Sequence, residues 1–234
     1  MLRLKALTWN IHGCVGGDGR HDVDRVGACV NAMAPDIAAF QEVDSRRAVP
    51  GAGRVYDTLR AQVGAHGHDA WSISGKDGHY GQILASRFPL EEKQVHDISV
   101  SGREPRKVMT AYARLPALRL RLVATHFGLS RHERCRQVAA LRRIVAADRS
   151  APLLLLGDFN EWLWPHRIQR DIFSLVGAWT RHASFPARLP LFALDRICCR
   201  PGGLLAGSRA VREAHAASDH LPVLAELSLP ALRS

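Results

Sequence analysis

The sequence predicts an α/β protein in which two sheets pack together with helices outside. Three observations carry this expectation. Stretches with apolar residues at every second position alternate with stretches at helical spacing through almost all 234 residues. Their order is strand, helix, strand, then several strands, then strand, helix, strand, a mixture expected when helices flank paired sheets. No linker, low-complexity tract or internal sequence repeat divides the chain, so residues 1–234 are expected to form one domain. A domain of this length buries roughly 70–75% of its unfolded surface, enough for a sizeable core.

The elements follow in order. Leu2, Leu4 and Ala6 alternate with Arg3 and Lys5 in a strand ending near Trp9. Val23, Val26, Val30 and Met33 form a helical stripe from Asp22 to Met33, which Pro35 stops. Ile37 to Phe40 reads as a short buried strand, and Val55, Leu59 and Val63 as a helix closed by Gly64. Strands are expected at 69–74, 80–86 and 92–98. Stretches 107–114 and 118–125 flank Pro116 like a hairpin, with Leu118, Leu120 and Leu122 alternating with Arg119 and Arg121. Ser130 and Glu133 match a capping box opening a helix to about Asp148, with Val138, Leu141 and Val145 inward. Pro152 to Leu156 suits a central strand. A helix near 166–173 and strands near 193–199, 206–212 and 222–228 complete the chain.

Lysine and arginine number 32 against 22 acidic residues, a formal net charge of +10. Such a balance favours polyanionic partners, although an arginine-rich proteome produces it equally well. Cysteines 14, 29, 135, 198 and 199 are odd in number, contain no CxxC pair, and include an adjacent pair that would point to opposite faces of a strand. A disulfide framework or zinc site is not expected, and a reduced compartment fits. The opening MLRLKALTWN has no signal-like apolar stretch, and the run Leu153 to Leu156 is too short to span a bilayer. The expectation is a soluble cytoplasmic monomer without an integral membrane segment.

Polar clusters follow the predicted strands: Asn10 and His12, Gln41 and Glu42, His126, then Gly157-Asp158-Phe159-Asn160, with Ser218-Asp219-His220 just before the last strand. Asp195 lies in an apolar strand between Leu194 and Ile197, where an unpartnered carboxylate is costly. Strand ends hold side chains rigidly while loops give access, so active sites gather there. Carboxylates and asparagines converging in this way make an oxygen-rich site for a hard cation, magnesium or manganese rather than zinc. Taken singly, each residue has a plainer reading: a solvated glutamate, an Asx turn at Asp158 and Asn160, a structural histidine at 126.

In this order the clusters resemble the endonuclease/exonuclease/phosphatase superfamily, which includes deoxyribonuclease I, abasic-site endonucleases, bacterial sphingomyelinases, deadenylases and inositol polyphosphate 5-phosphatases. The matching blocks are TWNIH (8–12), FQEV (40–43), YGQILASRFPL (80–90), THFG (125–128), LLGDFN (155–160), LDRI (194–197) and SDHLPV (218–223). One block alone is weak, but the whole series in order is very specific. The resemblance implies a four-layer α/β/β/α sandwich with two packed mixed sheets, helices outside, and magnesium- or manganese-dependent hydrolysis of a phosphodiester. It implies Glu42 as the principal metal ligand with Asn10 and Asp219 nearby. Asp158 and Asn160 would hold the attacking water and a phosphate oxygen. His220 would be the catalytic histidine oriented by Asp195, and His126 a second histidine at the phosphate or leaving group. Which of His220 and Asp158 takes the proton from water stays open. Tyr80, Arg103 and Arg106, with Asn160, would contact substrate.

The sequence departs from that pattern in places. Deoxyribonuclease I pairs the second histidine with a glutamate two residues before the matching tyrosine; here Gly78 stands there, with Asp77 the nearest substitute. Residues 102–106 resemble a stretch that supplies a phosphate-binding arginine, and equally suit a solvated hairpin tip. SFPARLPLFALDRI (184–197) resembles bacterial members of unassigned substrate and, more loosely, the sphingomyelinase-like branch. Trp162 and Trp164 suit base stacking, a lipid interface or packing against the following helix. Basic charge, with Arg131, Arg134 and Arg136 added to Arg103 and Arg106 around the expected mouth, favours nucleic acid over lipid as substrate. The alternatives are phospholipase-C-like or phosphomonoesterase activity on lipid head groups or inositol phosphates, and a non-catalytic binding module.

Overall fold

The protein is described by a computed structural model that covers residues 1–49, 51–116, 118–162 and 167–229. Trp164 lies outside the described residues. One sheet comprises β1 (Leu2–Asn10), β2 (Ile37–Asp44), β3 (His66–Gly75), β4 (Gly78–Ser86), β11 (Leu205–Ala210) and β12 (Val223–Leu229). Its strand order is β11-β12-β1-β2-β4-β3. The other comprises β5 (Leu90–Asp97), β6 (Lys107–Arg114), β7 (Arg119–His126), β8 (Leu153–Asp158), β9 (Ala178–Trp179) and β10 (Asp195–Arg200), ordered β5-β6-β7-β8-β10-β9. Both sheets are mixed: β1 and β2 run parallel, as do β7 and β8, and the remaining pairs are antiparallel. A parallel pair needs a crossover. The helix α1 (Val23–Met33) lies in the first crossover and α3 (Arg131–Ala146) in the second, while α2 (Val55–Ala61) and α4 (Arg167–Phe173) complete the outer layers.

Side-chain alternation builds the layers. Leu4, Ala6, Ile37 and Ala39 from one sheet meet Met109, Leu122, Leu154, Leu156 and Ile197 from the other in a core between the sheets. Leu7, Trp9, Ala38 and Phe40 point the other way, onto Val26, Val30 and Leu59 of α1 and α2. Val123, Leu153 and Leu155 face Val138, Leu141 and Val145 of α3 together with Ile168 and Ile172 of α4. The result is the four-layer α/β/β/α sandwich. Cys198 and Cys199 fall on opposite faces as expected, and all five cysteines are free.

Local chemistry sets most boundaries where the sequence places them. Asp22 caps α1 by accepting from Arg25 N, and Ala34 closes it in a left-handed conformation before Pro35. The Ser130–Glu133 capping box opens α3. One boundary differs with consequence. The strand expected to end at Phe40 continues to Asp44, because its pairing with β4 slips between Phe40–Ile83 and Val43–Gly81. Phe40 and Val43 both face the helices. Two residues rather than one therefore separate them, and Glu42 at this β-bulge takes a φ of 55°. The two-residue strand β9 was not anticipated, being too short to show a period.

Candidate active site

The inter-sheet faces of four strands run out of apolar residues at the same rim. Asn10 shares its face of β1 with Leu4 and Ala6, His126 its face of β7 with Leu122 and Ala124, Asp158 its face of β8 with Leu154 and Leu156, and Asp195 its face of β10 with Ile197. Register brings them level: Asp158 is opposite both His126 and Asp195. The bulge delivers Glu42 to the same rim, where Asn10 Nδ2 donates to Glu42 Oε1 at 2.9 Å and to Asp158 Oδ2 at 3.0 Å. Gln41, beside it, is tied to the Thr8 hydroxyl.

Asp158, Asp195 and His220 form a buried cluster whose candidate donor atoms all lie within 4.8 Å. His220 Nδ1 lies 2.8 Å from Asp195 Oδ2, so Nε2 is the nitrogen left to exchange a proton. The ring is held in place from several sides. Trp9 Nε1 donates to the His220 carbonyl at 2.9 Å, Ser218 Oγ accepts from His220 N at 3.2 Å, and the Phe185 ring lies 4.8 Å away. Ser184 Oγ donates to Asp195 Oδ2 at 2.6 Å, while Asp195 Oδ1 is buried with no hydrogen-bond partner among the described residues. Burial opposes a charged His220 ring, but Asp195, with Asp158 and Asp219, outweighs it and pushes the imidazole up to about 10. Burial and the Asp195 carboxylate push Asp158 up to about 6.

Asn160 sits in the left-handed region with φ 48°; its amide N–H donates to Asp158 Oδ1 at 2.8 Å, and its side-chain amide to the Phe127 carbonyl at 2.9 Å. Three non-glycine residues with positive φ, His12, Glu42 and Asn160, thus stand at one rim, the kind of strain that surrounding structure maintains at functional sites. His126 is buried, its Nε2 3.8 Å from Glu42 Oε1 and 3.7 Å from Asp158 Oδ2. Burial and the Arg106 guanidinium depress its basicity well below the ordinary histidine range.

The remaining expected site residues divide. Asp219 stands at the open side, 3.7 Å from His12 Nδ1, and its neighbour Ser218 donates to the Asn10 carbonyl at 2.8 Å. Tyr80 lines the site, its hydroxyl against Arg106; burial and the Glu42 charge push that hydroxyl up. Arg103 is exposed in the loop between β5 and β6. Arg106 is not a solvated arm: it is 5% exposed, and its guanidinium lies 3.0 Å from His126 Nδ1 and 2.8 Å from Glu104. Asp77 does not partner His126; it sits exposed in the β3–β4 turn, and Arg106 takes the place. The expected basic mouth also shrinks. Arg134 is buried against Glu161 and the Leu129 carbonyl, leaving Arg103, Arg131 and Arg136 exposed. Trp162 packs edge-on to Phe185 and Phe192. Sequence reasoning missed Ser184, Trp9 and the Arg106 contact, because nothing in their spacing announces a partner across the fold.

The sequence profile of the Endonuclease/Exonuclease/phosphatase family matches residues 7–220, which span every residue of this rim. The chain belongs to that family. Members of the endonuclease/exonuclease/phosphatase family hydrolyse phosphoric esters and generally use divalent metal ions. The chain is 30% identical over 250 residues to a protein of Escherichia coli K12 named Uncharacterized protein YbhP, covering 97% of this chain and 96% of that one. Among solved structures, an endonuclease/exonuclease/phosphatase from Beutenbergia cavernae superposes with a TM-score of 0.77 at 21% identity, over 98% of this chain and 72% of that one. A mannosyl-6-phosphatase from Bacteroides thetaiotaomicron gives 0.74 at 18% identity, covering 97% and 100%. A humanized Danio rerio TDP2 gives 0.69 at 14%, covering 97% and 99%.

The donor chemistry of the site fits the family's metal. Glu42 Oε1 and Asp158 Oδ2 converge on Asn10 Nδ2, whose Oδ1 accepts from His12 N, and the donors at the rim are carboxylate oxygens with the His126 and His220 rings beside them and no thiolate. Such oxygen-rich donor sets suit a hard cation such as magnesium or manganese.

Proposed function

We propose that the chain is a magnesium- or manganese-dependent phosphodiesterase. The observation that carries the reading is the Asp158–Asp195–His220 cluster joined through Asn10 to Glu42. Glu42, Asn10 and Asp219 would hold the cation, which offsets the charge of a nonbridging phosphoryl oxygen. The protein's own groups do the rest. Asp158 and Asn160, locked to each other, orient the attacking water and a phosphate oxygen. The water's proton passes into the Asp158–His220–Asp195 cluster; because Asp195 holds Nδ1, a proton that His220 gives up leaves from Nε2. His126, on the other side of Asp158 from Asp195 in the same sheet, meets the phosphoryl group.

The favoured substrate is nucleic acid, on the strength of the +10 net charge and exposed Arg103, Arg131 and Arg136. A phosphodiester lipid head group is the second reading, and one observation favours it. Leu189 and Leu191 are 68% and 65% exposed on a segment whose Phe185 lies against His220. Among the described residues no helix is long and apolar enough to cross a membrane. The test sets a plasmid and a labelled single strand, at low and moderate salt, beside sphingomyelin and cardiolipin vesicles and bis-p-nitrophenyl phosphate, with either metal. Nicking that weakens steeply with salt is expected, because each neutralised phosphate releases counterions. Head-group release without nicking would reverse the substrate, and no hydrolysis of anything would remove the enzyme reading.

A further inference from the structure

The second histidine has a partner of unusual polarity. Arg106 NH1 lies 3.0 Å from His126 Nδ1 and 2.8 Å from Glu104 Oε1, so one nitrogen serves both. The guanidinium is buried and also meets the Tyr80 hydroxyl, which leaves it little freedom to turn away. A guanidinium carries only N–H groups and no acceptor. The bond therefore runs in one direction: Arg106 donates and His126 Nδ1 accepts. A proton on Nδ1 would bring two N–H groups of like charge together in a buried place. The ring proton belongs on Nε2, which faces the site. Glu42 Oε1 and Asp158 Oδ2 stand 3.8 and 3.7 Å from it, beyond a normal hydrogen bond, so this N–H points into the space between them.

We infer that Arg106 is a positioning residue that fixes His126 as the neutral Nε2–H tautomer, making His126 a hydrogen-bond donor to the phosphoryl group. With Nε2 protonated, the same nitrogen can neither ligate a cation nor accept a proton from water. The tautomer follows from contacts within this chain, whereas the donor role rests on the phosphodiesterase reading.

The tautomer is read from a long-range proton–nitrogen correlation spectrum of the full chain labelled with 15N-histidine, in EDTA near neutral pH. His126→Asn identifies the signal by removing it. The expected pattern has Nε2 protonated and Nδ1 bare. Arg106→Lys, still a donor without an acceptor, should keep it, and Arg106→Glu should reverse it. A wild-type ring protonated on Nδ1, or a folded Arg106→Glu with the original pattern, overturns the inference; if Arg106→Glu does not fold, wild type and Arg106→Lys decide. Kinetics with bis-p-nitrophenyl phosphate and manganese test the donor role. His126→Asn keeps a neutral N–H and should fall no more than about tenfold, while His126→Ala should lose roughly 10²–10³-fold, as loss of one transition-state donor does. Equal losses would refute the donor role. Absence of hydrolysis even in wild type would sink the phosphodiesterase reading and leave the spectrum to decide the tautomer.

Discussion

Gly157 precedes Asp158 at the end of β8 and holds a φ of 152°, with its α-carbon against Thr125 of β7. A methyl group added there would lie 2.1 Å from the Thr125 carbonyl oxygen. Carbon and oxygen rest at about 3.3 Å or more, so Gly157→Ala demands a displacement of roughly 1 Å between two paired central strands. Backbone strain at such a φ costs about 1–3 kcal/mol. Forcing the strands apart in a packed core adds about 1–3 kcal/mol. Each kcal/mol lowers Tm by about 2–4 °C in a chain of this size, so the variant should melt roughly 5–20 °C early. Activity should fall further than stability explains. The displaced backbone carries Asp158, and misplacement by about 1 Å costs on the order of a hundredfold. Circular dichroism melts and bis-p-nitrophenyl phosphate hydrolysis, compared at a temperature where both proteins are folded, separate the two effects. Gly207→Ala is the control: an added methyl meets nothing within 4 Å, and its Tm should stay within about 2 °C. A Gly157→Ala protein with unchanged melting would refute the close strand approach. One that melts early yet hydrolyses at full rate would refute the dependence of Asp158 on it.

Glu42→Gln should remain folded and lose at least about a hundredfold in rate, and excess EDTA should silence the wild type; full activity in EDTA would end the metal reading. Asp195→Asn combined with His220→Ala should be scarcely slower than His220→Ala alone, because groups that act as a unit are non-additive. Rate losses that multiply would separate the two residues.

Much of the site was legible because strand alternation carries it. Once Leu4, Ala6, Leu154 and Leu156 are assigned to the inter-sheet core, the same period places Asn10 and Asp158 on that face at the strand ends. Their convergence then needs only the two sheets to pack. The capping box at Ser130 and the stop at Pro35 are equally local, each settled within a few residues. Contacts that depend on the assembled sheets were not legible. Ser184 and Asp195 are eleven residues apart, and Arg106 and His126 twenty, with no periodicity linking either pair. Arg106 and Arg134 look in sequence like any other basic residues of a positive chain. Only the fold shows that Glu104 and His126 hold one, and Glu161 the other, inside the wall.

Glu42 shows where the period itself breaks. Ile37 and Ala39 face the inter-sheet core, Ala38 and Phe40 the helices, and an unbroken strand would turn Glu42 toward α1 and α2 with Phe40. A carboxylate there would be buried among Leu7, Val26 and Leu59, at a cost no partner offsets. The bulge resolves the conflict: one extra residue lets Val43 return to the helix face while Glu42 leaves it for Asn10 and the rim. The left-handed φ of 55° is the local cost of that solution, and glutamate gains nothing from it in stability, since glycine or asparagine would adopt it more readily. A strained glutamate kept at a bulge, sharing the Asn10 amide with the Asp158 carboxylate, is costly to folding on every count except one. It places a carboxylate oxygen at the rim beside Asn10, and that is the role the proposed metal site requires of it.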